Sequence, residues 1–196
     1  MRRLLFLILF PILLCSCLEV YWINPVSDIQ HAVVDEELIG TWVGCVKISE
    51  EGKTETTPLY LHIGKMDGKR MKLISQLVQS GSTEEGIDIM HTSRLDGRRF
   101  MNIKESTSKD ELSDRYIIME YEIKEKDTLL LRPTNPDFVD NAIRNQVLLG
   151  EGTEVLSDSS EIREFIRNSP RDQLFPMKQK LNGTEFEYCS FKRLNF

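Results

Sequence analysis

The stretch PLYLHIGKMDGKRMKLISQLVQ, residues 58–79, carries the pattern that decides the fold. Its first part sets Leu59, Leu61 and Ile63 against Tyr60 and His62, the period-two alternation of a half-buried strand. Asp67-Gly68 interrupts the run, and residues 70–79 resume the apolar pattern. An Asp-Gly pair between two such runs signals a hairpin, because both residues tolerate positive φ. The device recurs at Asp96-Gly97, between residues 87–94 and 98–104. Residues 115–124 place Ile117, Met119, Tyr121 and Ile123 on one face against Glu120, Glu122 and Lys124, and residues 128–132 complete a hairpin across Glu125-Lys126-Asp127. On the N-terminal side, residues 41–48 form the first run, followed by the polar insert Glu50-Glu51-Gly52-Lys53. Strands that follow one another through short turns describe an antiparallel meander.

Two helical stretches precede the last strand. Asn135-Pro136-Asp137 reads as a cap, a first-turn proline and an acidic neighbour, ahead of Phe138, Val139, Ala142 and Ile143 at helical spacing. Asp158 with Glu161 three residues later resembles a capping box, and Ile162, Phe165 and Ile166 supply an apolar face. Pro170 ends that helix, since proline disfavours helix at the residue before it. Asn182-Gly183 then turns the chain into a final strand over residues 184–194.

The N-terminus follows a different rule. Arg2 and Arg3 precede an uncharged apolar run over residues 4–14, too short for a bilayer-spanning helix and of the proportions of a secretory signal. It ends in Leu14-Cys15-Ser16-Cys17, which resembles the lipobox of bacterial lipoproteins. That resemblance implies removal of residues 1–16 and acylation of Cys17, with acyl chains such as palmitate. Cys15 fits less well, because Leu14 rather than a small residue would precede the cut. An ordinary cleaved signal and an uncleaved membrane helix are the alternatives; a twin-arginine reading fails because the pair directly follows Met1. Two or more acyl chains hold a protein stably on a membrane at about 0.8 kcal/mol per buried methylene. The expected organisation is a signal over 1–16, a lipidated tether over 17–36 and a β domain over 37–196. Tyr21-Trp22 in the tether suits a membrane interface or packing against the domain.

Loss of residues 1–16 removes two of the 25 basic residues and none of the 31 acidic ones, moving the net charge from −6 to −8. An acidic body does not suit nucleic acid, nor does it favour an anionic bilayer surface, so attachment rests on the lipid. In an exported protein the two remaining cysteines, Cys45 and Cys189, are a candidate disulfide, with two unpaired strand cysteines as the alternative.

Leu38-Ile39-Gly40-Thr41-Trp42-Val43 resembles the Gly-x-Trp opening of lipocalins. In that family the tryptophan closes the base of an antiparallel barrel under a basic residue from the last strand. The resemblance implies an up-and-down lipocalin-like barrel, or a strongly curved sheet, with Gly40, Trp42 and Arg193 at its base; Lys192 replaces Arg193 if the register differs by one. The whole also looks like uncharacterised bacterial envelope lipoproteins with such a domain. With Trp42 inward, Gly44, Val46 and Ile48 follow it and Cys45 faces outward. Cys189 shares its face with Glu185, Glu187 and Arg193 by simple alternation. Closure would bring first and last strands together, so a Cys45–Cys189 bridge would staple the seam from outside.

No motif names a reaction. His31, His62 and His91 are too dispersed for a metal motif, no catalytic residue or cofactor is indicated, and the zincin, nucleophile-elbow, P-loop and dinucleotide patterns are absent from the sequence. The acidic runs read as solvated faces. The expected function is a lipid-anchored envelope protein, exported and held on a bacterial membrane, whose barrel binds a small apolar ligand. Leu59, Leu61, Ile63, Ile117, Met119, Tyr121 and Phe186 are the candidate ligand-lining residues. The alternative is an envelope protein-interaction or assembly module in which the same residues fill the core. A hydrolase ranks third.

Overall fold

The computed structural model describes residues 20–79, 82–104, 115–181 and 184–194. The signal over 1–16, Cys17 as lipid acceptor and the Asn182-Gly183 turn lie outside the described residues. The described chain opens with a short strand, β1 (Tyr21–Trp22), and a 3₁₀ turn at Ile29–His31. It then enters a meander of β2 (Gly40–Glu50), β3 (Lys53–Lys65), β4 (Met71–Gln79), β5 (Ser82–Leu95), β6 (Arg98–Lys104), β7 (Tyr116–Lys124) and β8 (Thr128–Pro133). Helix α1 (Pro136–Arg144), strands β9 (Gly150–Glu151) and β10 (Glu154–Val155), helix α2 (Ser159–Asn168) and the single turn α3 (Arg171–Leu174) follow. Strands β11 (Lys178–Leu181), β12 (Thr184–Tyr188) and β13 (Phe191–Leu194) complete the chain.

Each meander strand pairs antiparallel with the next, and β13 pairs with both β8 and β2. The result is a closed eight-stranded antiparallel barrel, the lipocalin-like plan rather than an open curved sheet. Three of its hairpins turn on paired positive φ, at Glu51 and Gly52 (49° and 79°), at Asp96 and Gly97 (51° and 79°) and at Glu125 and Lys126 (53° and 64°). Asp67-Gly68 works differently from the expectation, since neither residue has positive φ. There the Asp67 carboxylate accepts from the backbone N–H of Lys69 (2.8 Å) and Arg70 (2.7 Å) and ties the turn itself. Those backbone bonds, helped by the Arg70 side chain, hold the carboxyl down at about 2.

The last strand contains a feature that simple alternation misses. Tyr188 lies opposite Val46 while Lys192 lies opposite Val43, so the last strand spends one residue more than its partner between the two points. This is a β-bulge at Cys189-Ser190, and it reverses the facing of everything beyond it. Phe191 therefore points into the barrel above Gly44, and Arg193 shares the face of Trp42 instead of that of Cys189.

A second layer covers one side of the barrel. Phe100 and Ile118 face outward from β6 and β7 yet are fully buried, under Trp22, Val139, Ile162, Phe165 and Phe175. Strands β1, β10 and β9 extend from the start of β7 as a small sheet. Helix α1 is capped by Asn135, and α2 by the reciprocal Asp158–Glu161 capping box, worth about 1 kcal/mol. Among the described residues the α-helices number three rather than two, because the chain after Pro170 makes the further turn α3.

The boundary at residue 37 moves. Val20, Trp22, Val26, Ala32 and Val34 are all buried, so the stretch expected as a tether packs from its first described residue, on the apolar side chains that its lack of periodicity concealed. Glu120, read as part of a solvated acidic face, is instead fully buried between Arg98 (3.0 and 3.1 Å) and Arg171 (3.0 Å). The helical layer lies over it, and the two guanidiniums make that burial tolerable.

Candidate functional site

One end of the barrel is closed, and the residues there follow from where the chain crosses. At the closed end, residues 32–39 run beneath the strands before β2 begins. Trp42, fully buried, donates from Nε1 to the Leu38 carbonyl at 2.9 Å. The Arg193 guanidinium sits 4.4 Å from the centre of the Trp42 ring and donates to the carbonyls of Ile39 (3.1 Å) and Glu37. Gly40 adopts φ 142° with Arg193 packed beside it. Gly40, Trp42 and Arg193 thus meet at the base; Lys192 instead reaches Asp127 and Thr128 on the outside.

Asp35 completes the closure. Its carboxylate accepts from the Tyr121 hydroxyl at 2.6 Å and from Arg99 Nη1 at 3.3 Å, with Arg94 at 3.8 Å. Burial and the bond to Asp35 push the Tyr121 phenol far above its ordinary value, so it stays a donor throughout the physiological range. Nothing in the sequence pattern of residues 17–36 pointed to Asp35, because its partners lie on β5, β6 and β7.

The seam is stapled. A disulfide joins Cys45 and Cys189, directly opposed in the register before the bulge, and Cys189 N donates to Cys45 O at 2.8 Å. Both cysteines are half-buried on the outer face.

The candidate ligand-lining residues divide between two environments. Leu59, Leu61, Ile63, Met119 and Tyr121 pack into the barrel core with Trp42, Phe191 and Leu129 and are almost fully buried. Ile117 and Phe186 lie nearer the other end, where they stay half-buried with Ile48 and Tyr188. Ile48 was legible from its parity with Trp42; Tyr188 shares the face of Phe186. Thr57 and Ser75 add two buried hydroxyls to the inward face between these levels. Toward the end opposite Trp42 the described residues thus present apolar side chains with a few polar groups among them.

The histidines have structural surroundings. His62 contacts Thr41 Oγ1 at 3.0 Å on the outside of β3, and His31 lies in the exposed 3₁₀ turn. His91 is buried under the N-terminal stretch, where Nε2–H donates to the Ser27 carbonyl at 2.9 Å. Among the described residues no group of three His, Cys, Asp or Glu side chains is placed to hold a metal ion.

A second concavity lies outside the barrel. Helix α1, the chain to β9 and helix α2 enclose a groove of about 1090 Å³ with Phe138, Ile143, Leu149 and Phe165 on its walls and Glu161 and Glu164 at its edge. No family model matches the chain, and no curated protein is similar to it.

Proposed function

We propose that this is a lipid-anchored protein of the bacterial cell envelope whose lipocalin-like barrel takes up a small apolar ligand through the end opposite Trp42. The observation that carries the reading is the set of apolar side chains, Ile48, Ile117, Phe186 and Tyr188, that are half-buried toward the end opposite the floor of Trp42 and Phe191. Apolar side chains left half-exposed around one end of a closed barrel would gain by covering them with an apolar guest. Anchoring is carried by Cys17 at the end of the signal-like stretch; no described helix is long and apolar enough to cross a membrane.

The test is native mass spectrometry of the exported body, residues 18–196, with solvent extraction of whatever leaves with it. A reproducible apolar compound is expected, and Phe186→Glu should lose it while keeping the fold. Ligand-free protein that also fails to bind a fluorescent fatty acid would overturn the proposal. Labelled palmitate should enter the wild type and not Cys17→Ala. The reading as a protein-interaction module is favoured by one observation, the apolar groove between α1 and α2. It would prevail if the ligand-free body captured one envelope protein and Phe138→Asp, at a half-buried position of the groove wall, abolished the capture.

A further inference from the structure

The inward face of the barrel is not apolar all the way round. On β4, Leu73 and Leu77 belong to the barrel core, so Ser75 between them has the same facing. Its register partner on β5 is Gly86, and a Cβ there would lie 2.8 Å from Ser75 Oγ, so the hydroxyl leans over β5. On β3, Thr57 shares the parity of Leu59 and Leu61. Thr57 is 3 % exposed and Ser75 8 %, and neither side chain has a hydrogen-bond partner among the described residues. A hydroxyl withdrawn from water without a partner is unfavourable. An occupant that bonds to it is therefore favoured over one that is wholly apolar.

Strand β5 adds charge to the same wall. Glu84 lies opposite Leu77 in the register and so shares its inward face, half-buried. It stands on the diagonal from Ser75, where backbone positions are about 7–8 Å apart. Asp88, opposite Leu73 on the other diagonal, is also half-buried but already makes an interaction within the chain. The neighbouring cations stand at the other parity, since Lys72 and Lys104 both lie opposite Ile89 on the outer face. Lys53, the basic residue of inward parity in this half of β3, ends its hairpin opposite Glu50. Among the described residues, the polar wall at Ser75 thus carries negative charge with no inward cation beside it.

We propose that the guest of the barrel is a cationic amphipath: an apolar body against Ile48, Ile117 and Phe186, and a protonated amine whose N–H groups donate to Ser75 Oγ and to the Glu84 carboxylate. The inference rests on the barrel reading above and names the class of its ligand. An ammonium carries three donors, so it can serve a hydroxyl and a carboxylate at once. Its bond to the carboxylate is charge-assisted and gains strength where water is partly excluded. A fatty acid of the same length fills the apolar part equally well but sets its carboxylate beside Glu84, so it binds more weakly.

The test is calorimetric titration of residues 18–196, which contain every described element, at about pH 7. The probes are decylammonium, decanol and decanoate, one chain with three head groups, each below its aggregation limit. Decylammonium is expected to bind at least tenfold more tightly than decanoate, with decanol between them. Glu84→Gln should cut the advantage of the amine over decanol at least fivefold and leave decanol within twofold, and Ser75→Ala should weaken the amine at least threefold. Glu85→Gln is the control for general attraction to an acidic protein: its carboxylate is on the outer face of β5, where it accepts from Gln76 at 3.2 Å, and its loss should leave all three affinities unchanged. Equal affinity for the three probes, preference for decanoate, an unchanged amine affinity in Glu84→Gln or Ser75→Ala, or equal effects of Glu84→Gln and Glu85→Gln overturns the amine site and leaves the apolar barrel standing. If none of the three probes binds, the barrel reading falls and this inference with it.

Discussion

Gly44 shows how one residue can set the floor of a barrel. A Cβ there would lie 2.5 Å from Cδ1 of Phe191, a fully buried ring held in place by the bulge and by β8. Gly44→Ala should therefore cost about 2 kcal/mol, the usual scale of overpacking. Urea unfolding would measure it, and Phe191→Leu in the Gly44→Ala background should restore part of the loss. Glu120 poses the opposite problem, a charge that must keep its partners. Glu120→Ala leaves two guanidiniums facing an apolar layer and should cost about 3 kcal/mol. Arg171→Ala should cost only about 1 kcal/mol, because its side chain is 40 % exposed and Arg98 remains. Equal losses from the two substitutions would contradict this assignment of burial. Parity with Trp42 made the inward facing of Gly44 legible. The burial of Glu120 was not, because its partners come from β6 and from a helical turn beyond Pro170.

At the scale of elements, the strands whose apolar residues alternate were readable, together with both capped helices. What escaped were short strands whose pairing is their only justification. Strand β1 exists because β8 leaves the barrel wall at Pro133 and opens the flank of β7, which Trp22 then occupies opposite Tyr116. The bulge did leave a trace, since the apolar spacing changes from two between Phe186 and Tyr188 to three between Tyr188 and Phe191. The N-terminal stretch is tied to the barrel by polar groups that no periodicity announces. Fully buried Asn102 accepts from Val26 N at 2.9 Å and donates to Ser93 Oγ at 2.7 Å, beside His91 on the Ser27 carbonyl. Burial lowers the pKa of His91 below 6.5, with Asp28 and the Ser27 carbonyl acting the other way. Its folded pKa being depressed, the unfolded chain binds the proton first as pH falls. The stability present above 6.5 is then lost as pH drops through the folded value. Wild type should lose stability between pH 7 and 5, with amide exchange of residues 23–34 rising first, and His91→Gln should flatten that slope. A slope unchanged in His91→Gln would assign it to other groups.

Across the whole molecule, the decisive contact is between the two ends of the barrel sequence. Each hairpin forms locally, but closure brings β13 onto β2 and must offset the entropy of the long chain between them. The disulfide acts on that same term, linking residues 144 apart in sequence at the seam itself. Confining so long a loop in the unfolded chain is worth about 5 kcal/mol on the chain-entropy estimate. The cross-link ties β2 to the strand carrying Phe186 and Tyr188, so it also holds the rim opposite Trp42 in register with the floor. Reduction, or the double variant Cys45→Ala and Cys189→Ala, should lower the unfolding free energy by about 2–5 kcal/mol and raise the urea m-value, since the freed unfolded chain exposes more surface. The loss should fall first at the rim: amide protons of β12 should exchange faster than those of β3 and β4, which the meander holds without the seam. Unchanged midpoints after reduction would mean that the barrel closes through β13 alone, with the disulfide contributing nothing to its stability.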